Sequence, residues 1–346
     1  MKKISLKNIL PACLLALSCI VFTVVTGYAL FLKERVEGQI PVLPESSEVT
    51  RSAALRTASP QMSSPAPTVE PIPAVDTADE QIVSSPFWSD GILFENDTYR
   101  SPTMSVTVKM IRDSEMFHKN LIYYVADVHV SDVTQIRTAS ASGSFKRIGF
   151  DSMENTCKRE NALVAISGDF CPGFLIRNGE VYRRSIKHND ICLLLKTGEM
   201  VIMKGKETSV KRIMDKDPWQ TWDFGPALID ADGNPVRSFL PGEISGGNPR
   251  SCIGYYEPGH YCFVIVDGRQ KQSAGVTLRE LALLMHSLGC TQAYNLDGGA
   301  TAHFFYHGKV RNSPSGGGRK VGDIVYVAFE PYGESRFYCG KAGLSK

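Results

Sequence analysis

Three stretches decide how this chain folds: Tyr261-Cys-Phe-Val-Ile-Val-Asp-Gly-Arg269, Thr277-Leu-Arg-Glu280 and Thr291-Gln-Ala-Tyr-Asn-Leu-Asp-Gly-Gly299. The first is an unbroken apolar run of strand length that stops at Asp-Gly, which reads as a buried strand ending in a turn. Thr277 with Glu280 three residues on has the form of a capping box, so a helix starts there. Leu278, Leu281, Ala282, Met285 and Leu288 then recur at helical spacing, and Gly289 supplies the stop. The third stretch is a short strand that again runs into Asp-Gly. Together they predict one strand–helix–strand unit.

Outward from that unit, strands outnumber helices. Val106 to Ile111 and Leu121 to Val130 carry the β-branched and aromatic residues of strands, as does the apolar run Ala162 to Ser167. Phe174 to Arg177 and Val181-Tyr182 flank Asn178-Gly179, a strong hairpin signal; Ile191 to Leu195 and Met200 to Met203 flank Thr197-Gly198 in the same way. Asp151 to Arg159 reads as a short helix. Ala302 to Tyr306 and Lys309 to Arg311 form another hairpin, and Ile324 to Phe329 a last strand. The expected fold class is α+β: a single domain of mixed sheet with flanking helices, over 86–346.

The N-terminal quarter differs in kind. Lys2, Lys3 and Lys7 precede an uncharged stretch from Asn8 to Leu32, closed by Lys33, Glu34 and Arg35. About 20 apolar residues span a bilayer core as a helix, and the lysine-rich start predicts a cytoplasmic N-terminus with the remainder exported. A transmembrane anchor over 1–35 is favoured over a cleaved signal peptide, because the stretch is long and Thr26-Gly27-Tyr28 is a poor cleavage site. Residues 36–85 are rich in Pro, Ser, Thr and Ala, with too little apolar surface to fold, and read as a disordered tether. The expected location is therefore the cell membrane, single-pass, with the C-terminal domain outside the cytoplasm.

Charge excludes one partner class. The 346 residues are 43% hydrophobic and 21% charged with a formal net charge of +2, so no electrostatic case exists for nucleic acid. Of nine cysteines, Cys13 and Cys19 lie in the anchor, and the rest show no CxxC or Cys/His metal spacing. No ligand spacing calls for a metal, and no motif calls for a cofactor. Nothing around Ser185 or Ser273 has the form of a nucleophile elbow.

Chemistry is expected where polar residues and glycines follow buried strands. Asp169 follows Ile166-Ser167-Gly168, Asp267 follows Val264-Ile-Val, and Asp297 follows Asn295-Leu296. An acid so placed sits at a sheet rim with room for a ligand, although any one Asp-Gly can be a simple turn. His303 and His307 lie near the Asp297 stretch and either could reach a ligand; His286 belongs to the amphipathic helix.

Asn248-Pro-Arg-Ser-Cys-Ile-Gly254, Val266-Asp-Gly-Arg-Gln270, Gly275-Val-Thr-Leu-Arg-Glu-Leu281 and Tyr294-Asn-Leu-Asp-Gly-Gly299 follow one another along the chain. In this order the segments resemble the phosphodiester glycosidase family. Ile166-Ser-Gly-Asp-Phe170, Ile176-Arg-Asn-Gly179, Trp222-Asp-Phe-Gly-Pro-Ala-Leu228 and Asn312-Ser-Pro314 extend the resemblance over about Thr103 to Phe329. Two departures stand out: Ser167 replaces the family's usual Asn, and Gly298-Gly299-Ala300-Thr301 replaces Gly-Gly-Gly-Ser. The resemblance implies a hydrolase that cleaves a sugar 1-phosphodiester in envelope or exported polysaccharide. The alternative is a non-catalytic glycan-binding or scaffold module with the same fold. In the enzymatic reading Asp297 is the principal carboxylate, Asp169 its partner and Arg250 a bidentate phosphate clamp. Asn248, Asn295, Gly298, Gly299, Thr301 and Ser167 contact or orient substrate, and Asp267 with Arg269 either join them or form an internal ion pair. The sugar, the aglycone and the oligomeric state stay open at this level.

Overall fold

The computed structural model describes residues 85–187, 189–239, 246–330 and the strand 337–339, all within one compact unit, Asp79–Lys346. The anchor and tether expected over 1–85 lie outside the described residues but for the last. Among the described residues no helix is long and apolar enough to cross a membrane.

The first half of the domain contains β1 (Ile92–Glu95), β2 (Thr98–Arg100), β3 (Met104–Asp113), β4 (Leu121–Val130), β5 (Arg137–Ser140), α1 (Met153–Arg159) and β6 (Ala162–Ser167). It continues through β7 (Phe174–Arg177), β8 (Glu180–Arg184), β9 (Asp190–Leu195), β10 (Met200–Lys204), α2 (Val210–Met214) and β11 (Pro218–Trp222). The second half contains β12 (Arg250–Glu257), β13 (His260–Val266), α3 (Leu278–Ser287), β14 (Gln292–Leu296), β15 (Phe304–Tyr306), β16 (Lys309–Val310), β17 (Asp323–Ala328) and β18 (Phe337–Cys339).

The expected single mixed sheet is corrected to two large sheets and two small ones. An eight-stranded sheet runs β14-β12-β13-β4-β3-β2-β1-β18, and a five-stranded sheet runs β16-β15-β6-β17-β5. All their pairings are antiparallel except that of β1 with β18. The smaller sheets are β10-β9-β11 and β7-β8. The main core lies between the large sheets, where Val106, Ile253, Phe263, Ile265 and Leu296 from one meet Val164, Ile166, Phe304, Val325 and Val327 from the other. Each such side chain, fully buried, contributes on the order of 1.5–3 kcal/mol. α3 covers the outer face of the eight-stranded sheet through Leu281, Ala282, Leu284 and Met285 on Cys262, Val264 and Val266. α1 covers the outer face of the five-stranded sheet through Met153 and Cys157 on Ala165 and Ile324. The order is therefore helix, sheet, sheet, helix, and the fold is sheet-dominated.

Local signals act as expected. Thr277 Oγ1 accepts from Glu280 N at 3.1 Å while Glu280 Oε2 accepts from Thr277 N at 2.8 Å, closing the box that starts α3. Asn178 (φ 51°) and Gly179 (φ 80°) both take the left-handed conformation a tight hairpin turn needs. β13, α3 and β14 form the predicted unit, with β12 inserted between the two strands.

Candidate active site

β12 runs antiparallel to β13 and β14, so its first residue, Arg250, lies at the same sheet edge as the last residues of the other two, Val266 and Leu296. The facing sheet brings the end of β6 to that edge. Three hydrogen bonds tie them: Asp297 N donates to Gly168 O (2.8 Å), Ser167 Oγ to Asp297 O (3.2 Å) and Ser251 Oγ to Ser167 O (2.8 Å). The hydroxyl at Ser167 thus holds the Asp297 backbone. Glycines permit the closeness. A Cβ on Gly298 would sit 2.6 Å from Pro249 O, and one on Gly268 would sit 2.6 Å from Pro249 N.

Asp297 keeps 18% of its side chain exposed. Its Oδ2 lies 2.8 Å from Thr301 Oγ1 and 4.0 Å from Arg319 Nη2. Burial raises its pKa, while the Thr301 hydrogen bond and the Arg319 charge act the other way. His303, 7% exposed, has Nδ1 2.9 Å from Thr301 O; a carbonyl only accepts, so Nδ1 carries a proton and donates it there. His307 is elsewhere. Its ring packs against Phe94 in a tilted arrangement with centroids 4.5 Å apart, and its backbone N–H donates to Leu163 O near the other end of β6.

Asp169 is fully buried. Its Oδ1 accepts from Arg177 Nη2 at 2.5 Å and from Cys171 N at 2.9 Å, and its Oδ2 accepts from Asp223 N at 2.9 Å. Both of its oxygens are engaged by protein donors and none of its side chain is exposed. Its charge nevertheless helps raise the pKa of Asp297. Asp323 completes the cluster: Oδ2 is 3.4 Å from Arg177 Nη2 and Oδ1 accepts from Phe170 N at 2.9 Å. Burial and the neighbouring Asp169 push the Asp323 carboxyl up to about 7, and the same two causes push Asp223 up to about 6. Arg177 already supplies positive charge among Asp169, Cys171 and Asp323, three groups close enough to hold an ion. Phe170 (φ 63°) and Cys171 (φ 53°), consecutive non-glycine residues in the left-handed region, carry the chain around this cluster.

The other expected residues divide. Asp267 and Arg269 take separate partners: Asn312 Nδ2 (2.8 Å) and Ser313 N (3.1 Å) donate to Asp267, whereas Arg269 donates to Asn248 Oδ1 through Nε (3.1 Å) and Nη2 (2.7 Å). Asp267 is a buried brace on the Asn312 segment. Arg269 is exposed, and a Cβ on Gly299 would lie 3.6 Å from its Nη2, which puts this cation at the rim. Arg250 is 5% exposed, and its Nε donates to Val276 O at 3.1 Å. Alternation along β12 sets it on the α3 face, opposite to Ser251. Asn295 is buried and holds the segment after β11, donating through Nδ2 to Gly225 O at 2.7 Å.

Sequence reasoning missed Arg177, Asp223, Asp323 and Arg319 as site residues. Arg177 left a readable trace: a lone charge closing the apolar strand Phe174-Leu-Ile-Arg. Arg319 left none, because its backbone N–H is bound to Ala300 O only by tertiary folding, at 2.8 Å.

The arrangement holds a partly exposed carboxylate of raised pKa, a hydroxyl and two rim guanidiniums, Arg269 and Arg319. Such a set suits attack at a carbon bearing an anionic leaving group. Residues 153–328, just over half of the chain, match the family described as phosphodiester glycosidase. The SPbeta prophage-derived uncharacterized protein YomE of Bacillus subtilis (strain 168) is 26% identical over 214 residues, 58% of this chain; the match covers 33% of that protein's length. The chain therefore spans about a third of this curated relative. Among solved structures, the catalytic domain of zebrafish N-acetylglucosamine-1-phosphodiester alpha-N-acetylglucosaminidase, auto-inhibited by its pro-peptide, matches with TM-score 0.54 and 18% identity over 66% of this chain and 84% of that one. A hypothetical protein from Synechocystis matches with TM-score 0.51 and 13% identity over 65% and 62%. At these identities the structures share the fold. The family match, together with the shared fold, shows that this chain belongs to the phosphodiester glycosidase family.

Proposed function

We propose that the domain hydrolyses a sugar 1-phosphodiester in envelope or exported polysaccharide, outside the cytoplasm and tethered by an anchor over 1–35. The observation that carries this reading is the partly exposed Asp297 carboxylate, fixed where the ends of β6 and β14 are tied together. Its raised pKa makes it a stronger base than a solvated aspartate. The sugar C1–O bond breaks, the departing phosphate monoester takes the electron pair, and water supplies the oxygen that ends on C1. Asp297 either receives the water proton or first bonds to C1 itself. A phosphate monoester leaves readily, which suits a site whose other carboxylates are buried. Arg319 and Arg269 are the cations placed to meet the phosphate, and Arg250 acts behind them by holding the Asn248–Val276 loop. Asp169 is a positioning residue.

The zebrafish protein's name points to the first probe. Purified protein is incubated with an N-acetylglucosamine 1-phosphodiester, with Asp297→Asn in parallel. Release of sugar by the parent and not by the variant supports the proposal. Equal release by both removes Asp297 from the chemistry. Tight binding of the diester without release by either moves the reading to a glycan-binding module.

A further inference from the structure

Away from this site, Asp127, His129 and His260 form a second cluster of chemical groups. The odd-numbered residues of β4 share one face of the eight-stranded sheet. Leu121, Tyr123 and Val125 pack in the cluster under α3. Beyond them the same stripe continues as Asp127 and His129. On β13, Val266, Val264 and Cys262 follow the same course, and His260 is next. His260 is paired directly with His129, and Cys262 with Asp127.

The three side chains converge. The imidazoles stack with centroids 3.8 Å apart and planes 18° apart. His260 Nε2 is 2.7 Å from Asp127 Oδ1, and His129 Nε2 is 3.4 Å from Asp127 Oδ2. One donor atom from each residue lies within 4.8 Å of the others. Ligand bonds of about 2.0–2.2 Å in a tetrahedral shell place neighbouring donors roughly 3.3–3.6 Å apart, so small side-chain rotations suffice to admit an ion. The Tyr256 ring stacks on His260 at 4.2 Å, restricting its rotation. Side-chain exposures of 43% (Asp127), 26% (His129) and 23% (His260) leave the group reachable, with space for water as a further ligand.

We propose that Asp127, His129 and His260 bind a borderline divalent transition ion of the zinc class. Two imidazoles and one carboxylate suit zinc, whereas calcium and magnesium prefer all-oxygen shells. The ion would clip β4 to β13, independently of the phosphodiester chemistry.

The test is equilibrium dialysis of the untagged, metal-stripped full-length chain against zinc chloride, alongside His129→Gln and His260→Gln. One bound zinc per chain at micromolar free metal is expected, with affinity at least tenfold weaker in each variant. Zinc should raise the parent's melting temperature and not the variants', while Asp297→Asn should bind zinc like the parent. Should His260→Gln fail to fold without metal, His129→Gln, whose contact with Asp127 is longer, decides alone. No uptake by the parent at micromolar zinc, or uptake unchanged in a folded histidine variant, overturns the proposal.

Discussion

Arg177 Nη2 lies 2.5 Å from Asp169 Oδ1, and neither side chain is exposed to solvent. Asp323 stands on the same guanidinium nitrogen at 3.4 Å, and Asp223 lends its N–H to Asp169. One buried positive charge therefore serves two carboxylates, Asp169 and Asp323, and burial with the Asp169 charge holds the protons on Asp323 and on neighbouring Asp223 far above the usual range. The cluster braces the loop that follows β6, and Asp297 is bonded to Gly168 in that loop.

Removing the cation strands the acids. Arg177→Met is expected to destabilise the domain by about 3–5 kcal/mol, the usual cost of breaking a buried pair from one side. Urea unfolding followed by circular dichroism measures it. Arg177→Lys should recover only part of the loss, because a single ammonium cannot also reproduce the bond to Thr221 O.

The proton on Asp323 gives a pH signature. Its pKa rises from 3.8 to about 7 on folding. Its stabilising contribution is therefore complete below 3.8, falls as pH rises through the interval, and is gone above about 7. Asp323→Asn should flatten the pH dependence of stability between pH 4 and 7 by up to about 1.4 kcal/mol per pH unit relative to the parent. Denaturant midpoints across that range test it; parallel curves for the two proteins would contradict it.

Two glycines of similar backbone conformation should respond very differently to alanine. Gly173 (φ 53°) would place a Cβ 1.6 Å from Asp223 Oδ2, whereas Gly143 (φ 78°) opens onto free space. Gly143→Ala should cost only the left-handed penalty of about 1–2 kcal/mol. Gly173→Ala must also displace a buried carboxylate, and should cost at least about 2 kcal/mol more. Thermal melting of the pair separates conformation from contact.

Within the proposed chemistry, Thr301→Val removes the hydroxyl 2.8 Å from Asp297 Oδ2. A loss of about tenfold in kcat is expected, with KM little changed, since one hydrogen bond is worth about 1 kcal/mol or somewhat more when the partner is charged. Arg319→Ala, 66% exposed at its side chain, should instead raise KM and weaken the salt dependence of kcat/KM. Steady-state kinetics on the diester at two ionic strengths distinguishes these outcomes.

How much was legible in the sequence depended on distance along the chain. Capping at Thr277, the hairpin at Asn178-Gly179, the strands β4 and β6 and the helix α3 were readable because each is set by residues a few positions apart: a hydroxyl and a carboxylate at fixed spacing, a turn dipeptide, an apolar period. The Asp297 stretch was readable for the same reason. What tertiary structure alone decided is which strand ends meet. The four-layer order and the bond from Ser167 to Asp297, 130 positions apart, are of this kind, and although Asp169 and Arg177 lie only 8 positions apart, Asp323 and Asp223 reach their cluster from distant segments. Short polar side chains leave no period that encodes such pairings. Asp169, Asp267 and Asp297 look alike as sequence, each an acid after a buried run. Only packing of the two sheets left Asp297 partly open to solvent, enclosed Asp169 with an arginine and braced Asp267 on Asn312.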